Sequence, residues 1–174
     1  NIIRYGMLNL MKFDKFKTVV VVGMGGSILG SNAIYDFMKH KVKKKFIFFD
    51  NLDLIKIKNI KKSVNLKQSL IIIISKSGST LETLVNSNLL KDELNNKNTI
   101  IITEKKTNLL NTFARKKKIL HINHKDYIGG RYSVLSEVGM IPAYFMGLKI
   151  DHLRKDIQDY FKPKEKNLLL DSVI

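Results

Sequence analysis

The chain has 174 residues, 44% of them hydrophobic, which is enough for one domain with a sizeable core and too few for two of ordinary size. It carries a formal net charge of +16 and no cysteine, so a disulfide framework, a thiolate zinc site and a cysteine nucleophile are excluded. No apolar run approaches the roughly 18–20 residues a membrane-spanning helix needs, and Arg4, Lys12, Asp14 and Lys15 break up the opening segment too often for a signal peptide, so a cytoplasmic protein is expected.

Along the chain, short saturated apolar runs alternate with longer amphipathic stretches. Residues 18–23, 46–50, 70–75 and 99–103 are β-branched or aromatic and apolar on both faces, as strands buried between two helix layers are; 118–122 is a weaker fifth. Helix-length segments lie between them, at about 27–40, 53–62, 80–94 and 107–116. Strand and helix alternating at this spacing predict an α/β fold, a three-layer αβα sandwich around a five-stranded parallel sheet with right-handed crossovers. Beyond Asp126 the strand rhythm stops, and a glycine pair leads into mostly helical pattern. The chain opens on Asn1 and closes inside an apolar stretch, Leu168-Leu169-Leu170-Asp171-Ser172-Val173-Ile174, so it reads as a piece of something longer, with a domain over 1–150 and the helical start of a following segment over 151–174.

In open parallel sheets ligands bind at the carboxyl ends of the strands, so the residues just after the apolar runs carry the information. After the first strand comes Gly23-Met24-Gly25-Gly26-Ser27-Ile28-Leu29-Gly30. Glycines there allow a tight turn and close backbone approach, and the helix that follows directs free amides at an anion. Gly23 and Gly25 match the dinucleotide fingerprint G-x-G-x-x-G, with Asp50 placed for a ribose; Ile28 stands at its last glycine. A plain strand-to-helix turn reads equally well.

After the third strand comes Ser75-Lys76-Ser77-Gly78-Ser79-Thr80-Leu81-Glu82-Thr83. Ser79 and Glu82 have capping-box spacing, which starts the helix near Thr80. A cap needs only one hydroxyl, whereas four hydroxyls, a lysine and a glycine in six positions fit a phosphate cradle of amides, hydroxyls and one ammonium. The third segment is Gly129-Gly130-Arg131-Tyr132-Ser133, where the glycines permit a sharp bend before a guanidinium able to stabilise a developing oxyanion. Alone it is a weak pattern, since surface turns also read Gly-Gly-Arg.

Taken together and in this order, the three segments resemble the first sugar-isomerase domain of the phosphoglucose isomerase family, over about residues 19–150. Val134-Leu135-Ser136 and Val138-Gly139-Met140-Ile141-Pro142 extend the match, while Glu137 departs from the proline or small residue common there. The resemblance implies interconversion of glucose 6-phosphate and fructose 6-phosphate through a cis-enediolate, without metal or organic cofactor, in a homodimer. It implies sugar-phosphate contacts from Gly26 and Ser27, a 6-phosphate held by Ser75, Lys76, Ser77 and Thr80 with Gly78 and Ser79 in the same loop, and enediolate stabilisation by Arg131 after Gly130. The family's glutamate base, ring-opening histidine and late lysine come well after the Gly-Gly-Arg segment and have no counterpart here, so the chain is expected to hold the phosphate-binding half.

Three other readings compete. A sugar-phosphate-binding regulatory module without turnover shares both phosphate segments but gives no role to Arg131. A dinucleotide-dependent dehydrogenase is opposed by Ile28 and the serine loop. A nucleic-acid-binding module rests on charge alone. All but four of the 31 basic residues are lysine, and lysine, isoleucine and asparagine are the products of A- and T-rich codons. The runs Lys43-Lys44-Lys45 and Lys116-Lys117-Lys118 precede strands, as solvated surface does. Nucleic acid and membrane are therefore not expected partners. His121 and His124 have metal-pair spacing but no acids placed to join them.

Overall fold

The computed structural model describes residues 9–155 and residue 157. Five parallel strands, β1 (Thr18–Val22), β2 (Lys45–Phe49), β3 (Leu70–Ile74), β4 (Thr99–Thr103) and β5 (Leu120–Asn123), form one sheet in the order β2-β1-β3-β4-β5. The helices are α1 (Leu29–Met38), α2 (Leu54–Ser63), α3 (Leu81–Leu89), α4 (Leu109–Lys117), α5 (Glu137–Phe145) and α6 (Ile150–Leu153). All five expected strands and all four intervening helices form.

Period-2 alternation along the central strands splits the core in two. Val19, Val21, Leu70, Ile72, Ile74, Ile100 and Ile102 join Ile28 and the α5 residues Val138, Ile141 and Phe145 on one face. Val20, Val22, Ile71, Ile73 and Ile101 join Ile57 of α2 and Leu110 and Ala114 of α4 on the other. Every residue of β1 after Thr18, and all of β3 and β4, is buried; β2 and β5, at the sheet edges, are partly exposed. The saturated apolar sequence of residues 46–50 thus overstates the burial of β2, because an edge strand has a neighbour on one side only.

Two helix boundaries differ from the sequence expectation. α1 starts at Leu29 because Gly25–Ser27 makes a 3-10 turn first, with Gly25 at φ +54°. α3 stops at Leu89, where Leu90 N–H donates to Ser87 and Lys91 N–H to Asn88. Asn95 and Asn98 then build their own turn, the Asn98 side chain accepting from Asn95 N–H at 3.1 Å. Asparagine offers the backbone such local bonds in competition with helix. Leu94 is buried all the same, which is why the helical periodicity runs past the helix end.

The order 2-1-3-4-5 reverses between β1 and β3. Val22 lies opposite Phe49 on one side and Ile73 on the other, so the chains leaving β1 and β3 part to opposite faces and open a crevice.

Candidate active site

Both glycine- and serine-rich segments leave strands at that crevice. In the β3–α3 loop Ser75 is 1% exposed, and its hydroxyl lies 3.0 Å from that of Thr80 and accepts from Gly78 N–H at 3.2 Å. Ser77 Oγ lies 3.5 Å from Thr80 Oγ1 and accepts from both the N–H and the hydroxyl of Ser79. The four hydroxyls of the sequence motif therefore form one cluster.

The expected Ser79–Glu82 capping box does not form. Thr80 is the N-cap, and its side chain caps nothing because it turns back to Ser75. The first helical bond is Leu84 N–H to the Thr80 carbonyl, so among the described residues the N–H groups of Leu81, Glu82 and Thr83 have no partner; those of Lys76 and Ser77 also have none. Five free donors beside four hydroxyls make an anion-directed loop. α1 likewise starts without a side-chain cap, at Ile28, whereas α2, α4 and α5 are capped by Asp53, Asn108 and Ser136.

The loop is held from the β4 side. Lys76 carbonyl accepts from Glu104 N–H and from the Thr103 hydroxyl, and Gly78 carbonyl accepts from Leu110 N–H. Gly78 sits at φ +66°, and a Cβ there would run into the side-chain amide of Asn108. The sequence does not single out Asn108 for the site. Its position before Leu109-Leu110 marks a helix cap, but nothing in the sequence says that it also packs on Gly78.

The Gly129–Ser133 segment reaches the β1 turn. A Cβ on Gly26 would collide with the Gly130 carbonyl, and the Ser133 hydroxyl, which donates to the Gly130 carbonyl at 2.5 Å, lies 3.4 Å from the Gly26 carbonyl. Gly26, Ser27 and Gly130 are thus brought together, and the glycine at 26 makes room for the chain's own backbone. Asp50, assigned to a ribose by that reading, pairs with Lys56 at 3.3 Å. Arg131 is exposed and forms no ion pair among the described residues. Lys76 alone of the expected phosphate residues has its charged end engaged elsewhere: its ammonium donates to the Asp126 carbonyl at 2.6 Å and lies 3.8 Å from Glu104. Glu137, the departure in the motif, opens α5, where a carboxylate suits the helix dipole.

His121 Nε2 lies 3.0 Å from the Thr103 carbonyl, and His124 is buried, with Nδ1 3.0 Å from the Lys125 carbonyl. Among the described residues no three His, Asp or Glu side chains gather in metal-holding geometry, and no helix is long and apolar enough to cross a membrane. An open depression of about 790 Å³ lies at the other edge of the sheet, lined by Lys15, Lys17, Lys45, Lys67 and Lys97 among others. The free helix amides face the carboxyl edge, which makes the crevice there the candidate site.

Fold and crevice together define a doubly wound α/β domain with an open, donor-rich helix start at its topological switch point. The chain belongs to the phosphoglucose isomerase family, whose model matches residues 1–155. It is 37% identical over 162 residues to the glucose-6-phosphate isomerase of Methanocaldococcus jannaschii, covering 88% of this chain and 40% of that protein. A hypothetical protein from Thermus thermophilus superposes with a TM-score of 0.82 at 27% identity, over 97% of this chain and 44% of the other. The glucose-6-phosphate isomerase of Chlamydia trachomatis gives 0.68 at 28% identity, over 83% and 30%. The chain therefore spans less than half the length of each of these proteins.

Proposed function

We propose that this chain is the phosphate-gripping portion of a glucose-6-phosphate isomerase. The observation that carries the reading is the uncapped start of α3 beside the Ser75–Ser77–Ser79–Thr80 hydroxyl cluster. Phosphate oxygens accept from the free N–H groups of Lys76, Ser77 and the first turn of α3, and from the hydroxyls of Ser77, Ser79 and Thr80, with Ser75 and Gly78 holding the loop's shape. Gly26 and Ser27 close the crevice from β1. Gly130 bends the chain, and Arg131 places a permanent positive charge beside the enediolate oxygens. A guanidinium does not accept a proton at neutral pH, so transfer between C1 and C2 takes a separate base within hydrogen-bond reach of the carbon acid. The same family membership supports a cytoplasmic homodimer in glycolysis and gluconeogenesis, working without a metal or organic cofactor. A division at about residue 150 is part of the same proposal; most of the second segment, from residue 158 on, lies outside the described residues.

Amide NMR titration tests the site. Glucose 6-phosphate should shift Gly26, Ser27 and residues 75–80, and NAD should leave them in place. Shifts confined to residues 23–30 and Asp50 on adding NAD would replace this reading with the dinucleotide one.

A further inference from the structure

The segment after β5 is a strap. It leaves Asn123 at one edge of the sheet, and by Gly130 its backbone lies against Gly26 in the turn after β1. With the order β2-β1-β3-β4-β5, residues 124–130 must cross the carboxyl ends of β4 and β3 to get there. At the far end the strap is seated by the missing Cβ of Gly26, where the Gly130 carbonyl packs. At the near end His124 N–H donates to the Thr103 carbonyl. Between those points, one side chain from the rest of the described protein bonds it: Lys76, rising from the β3 loop to the Asp126 carbonyl at 2.6 Å, three residues before Gly129.

The backbone of Lys76 is fixed as well. Its carbonyl takes bonds from Glu104 N–H and Thr103 Oγ1, and the Glu104 carboxylate stands 3.8 Å from its ammonium. A charged donor with a fixed base and a carbonyl acceptor is built to hold a neighbouring segment in place. We propose that Lys76 is a positioning residue: its ammonium holds the strap, and through it Gly130 and Arg131, at the crevice, while the phosphate is taken by the amides and hydroxyls of the same loop. This deepens the proposed function and rests on its placing of the site, because it makes one loop both the phosphate grip and the anchor of the charge that steadies the reacting end of the sugar.

The test uses the full chain with Lys76→Met, which keeps the stem and removes the charge, and Lys76→Arg, which can still donate to a carbonyl. Without ligand, Lys76→Met should shift or broaden the amide signals of residues 128–131, and Lys76→Arg should restore most of the native positions. In Lys76→Met the glucose 6-phosphate response of Gly130 and Arg131 should fall to under about half, a larger loss than any in the inorganic phosphate shifts of Ser77 and Ser79. Unmoved signals at 128–131 together with a phosphate affinity about tenfold weaker or worse would overturn the proposal and make the ammonium a direct ligand. Absence of any phosphate response in the unmodified chain would remove the site reading; the ligand-free spectra would still decide whether Lys76 holds the strap.

Discussion

Helices α3 and α4 are near twins that treat their first turns differently. Each has nine residues, begins on leucine and follows a fully buried strand, and the two strands are neighbours. α4 is finished at both ends: Asn108 accepts from Asn111 N–H at 2.8 Å, and Lys118 closes the other end at φ 53° with its N–H on the Arg115 carbonyl. α3 is left open, since Thr80 spends its hydroxyl on Ser75. Forgoing a cap costs about 1 kcal/mol. The α4 start serves stability, whereas the α3 start keeps its donors free, and Asn108 connects the two by packing on Gly78 while capping α4.

The largest effect should come from breaking that connection. Gly78→Ala drives a methyl into Asn108 Oδ1 and places an L side chain at φ +66°, and Asn108 cannot retreat without releasing its cap. Left-handed strain and overpacking together should cost about 2–4 kcal/mol in chemical denaturation. Adding Asn108→Gly should recover part of the loss; no recovery would mean that the clash lies elsewhere.

Next come the two cap positions themselves. Asn108→Ala should lower stability by about 0.5–2 kcal/mol, the usual loss for a capping side chain. Thr80→Ala, which removes no cap, should change stability by less than about 0.5 kcal/mol yet weaken phosphate binding about tenfold to a hundredfold, since bonds to a charged group are worth roughly 1.5–3 kcal/mol. Equal stability losses at both positions would erase the contrast. Thr80→Asp sharpens it: a carboxylate caps the free amides and suits the dipole, so stability should rise by about 0.5–1 kcal/mol while phosphate binding disappears. Calorimetric titration with inorganic phosphate beside denaturation curves reads both. Retained binding in Thr80→Asp would place the anion away from α3.

How much of this was legible in the sequence follows from the range of the forces involved. The sheet was readable because Val19–Val22, Leu70–Ile74 and Ile100–Ile102 need burial on both faces, and only a covered parallel sheet supplies it. The rule for strand ends pointed to the candidate site, and its hydroxyls, which the structure gathers into one cluster, were all in one run. The cap expected at Ser79 falls one residue later, at Thr80, and its hydroxyl is drawn away by Ser75, five positions back in sequence and adjacent in space. Asn108 on Gly78, Lys76 on Asp126 and Gly130 on Gly26 join residues 30 to 104 apart. No local pattern encodes such contacts; only the strand order decides which loops meet.

The smallest expected effect belongs to the α4 half. His121, on β5, has Nε2 3.0 Å from the Thr103 carbonyl. Its pKa is held below the ordinary 6.5 first by burial, against the bond to Thr103, with Arg115 and Lys105 adding like-charge repulsion. The unfolded chain therefore takes up this proton at a higher pH than the folded one. Stability from the neutral ring is complete above about pH 6.5 and is lost as pH falls through the lowered folded value, where the unfolded state binds more protons. The ring is only half buried, so the loss is modest. His121→Gln keeps a donor for the Thr103 carbonyl and removes the titration, so it should flatten the fall in denaturation midpoint between about pH 7 and 5. The substitution removes one titratable group and no other, so the difference between the two slopes isolates His121. Parallel slopes would show that the imidazole is as free to protonate in the folded chain as in the unfolded one. No histidine lies in α3 or its loop, so Thr80→Ala should leave that slope unchanged, and the two halves would then differ in their response to acid as they do in their caps.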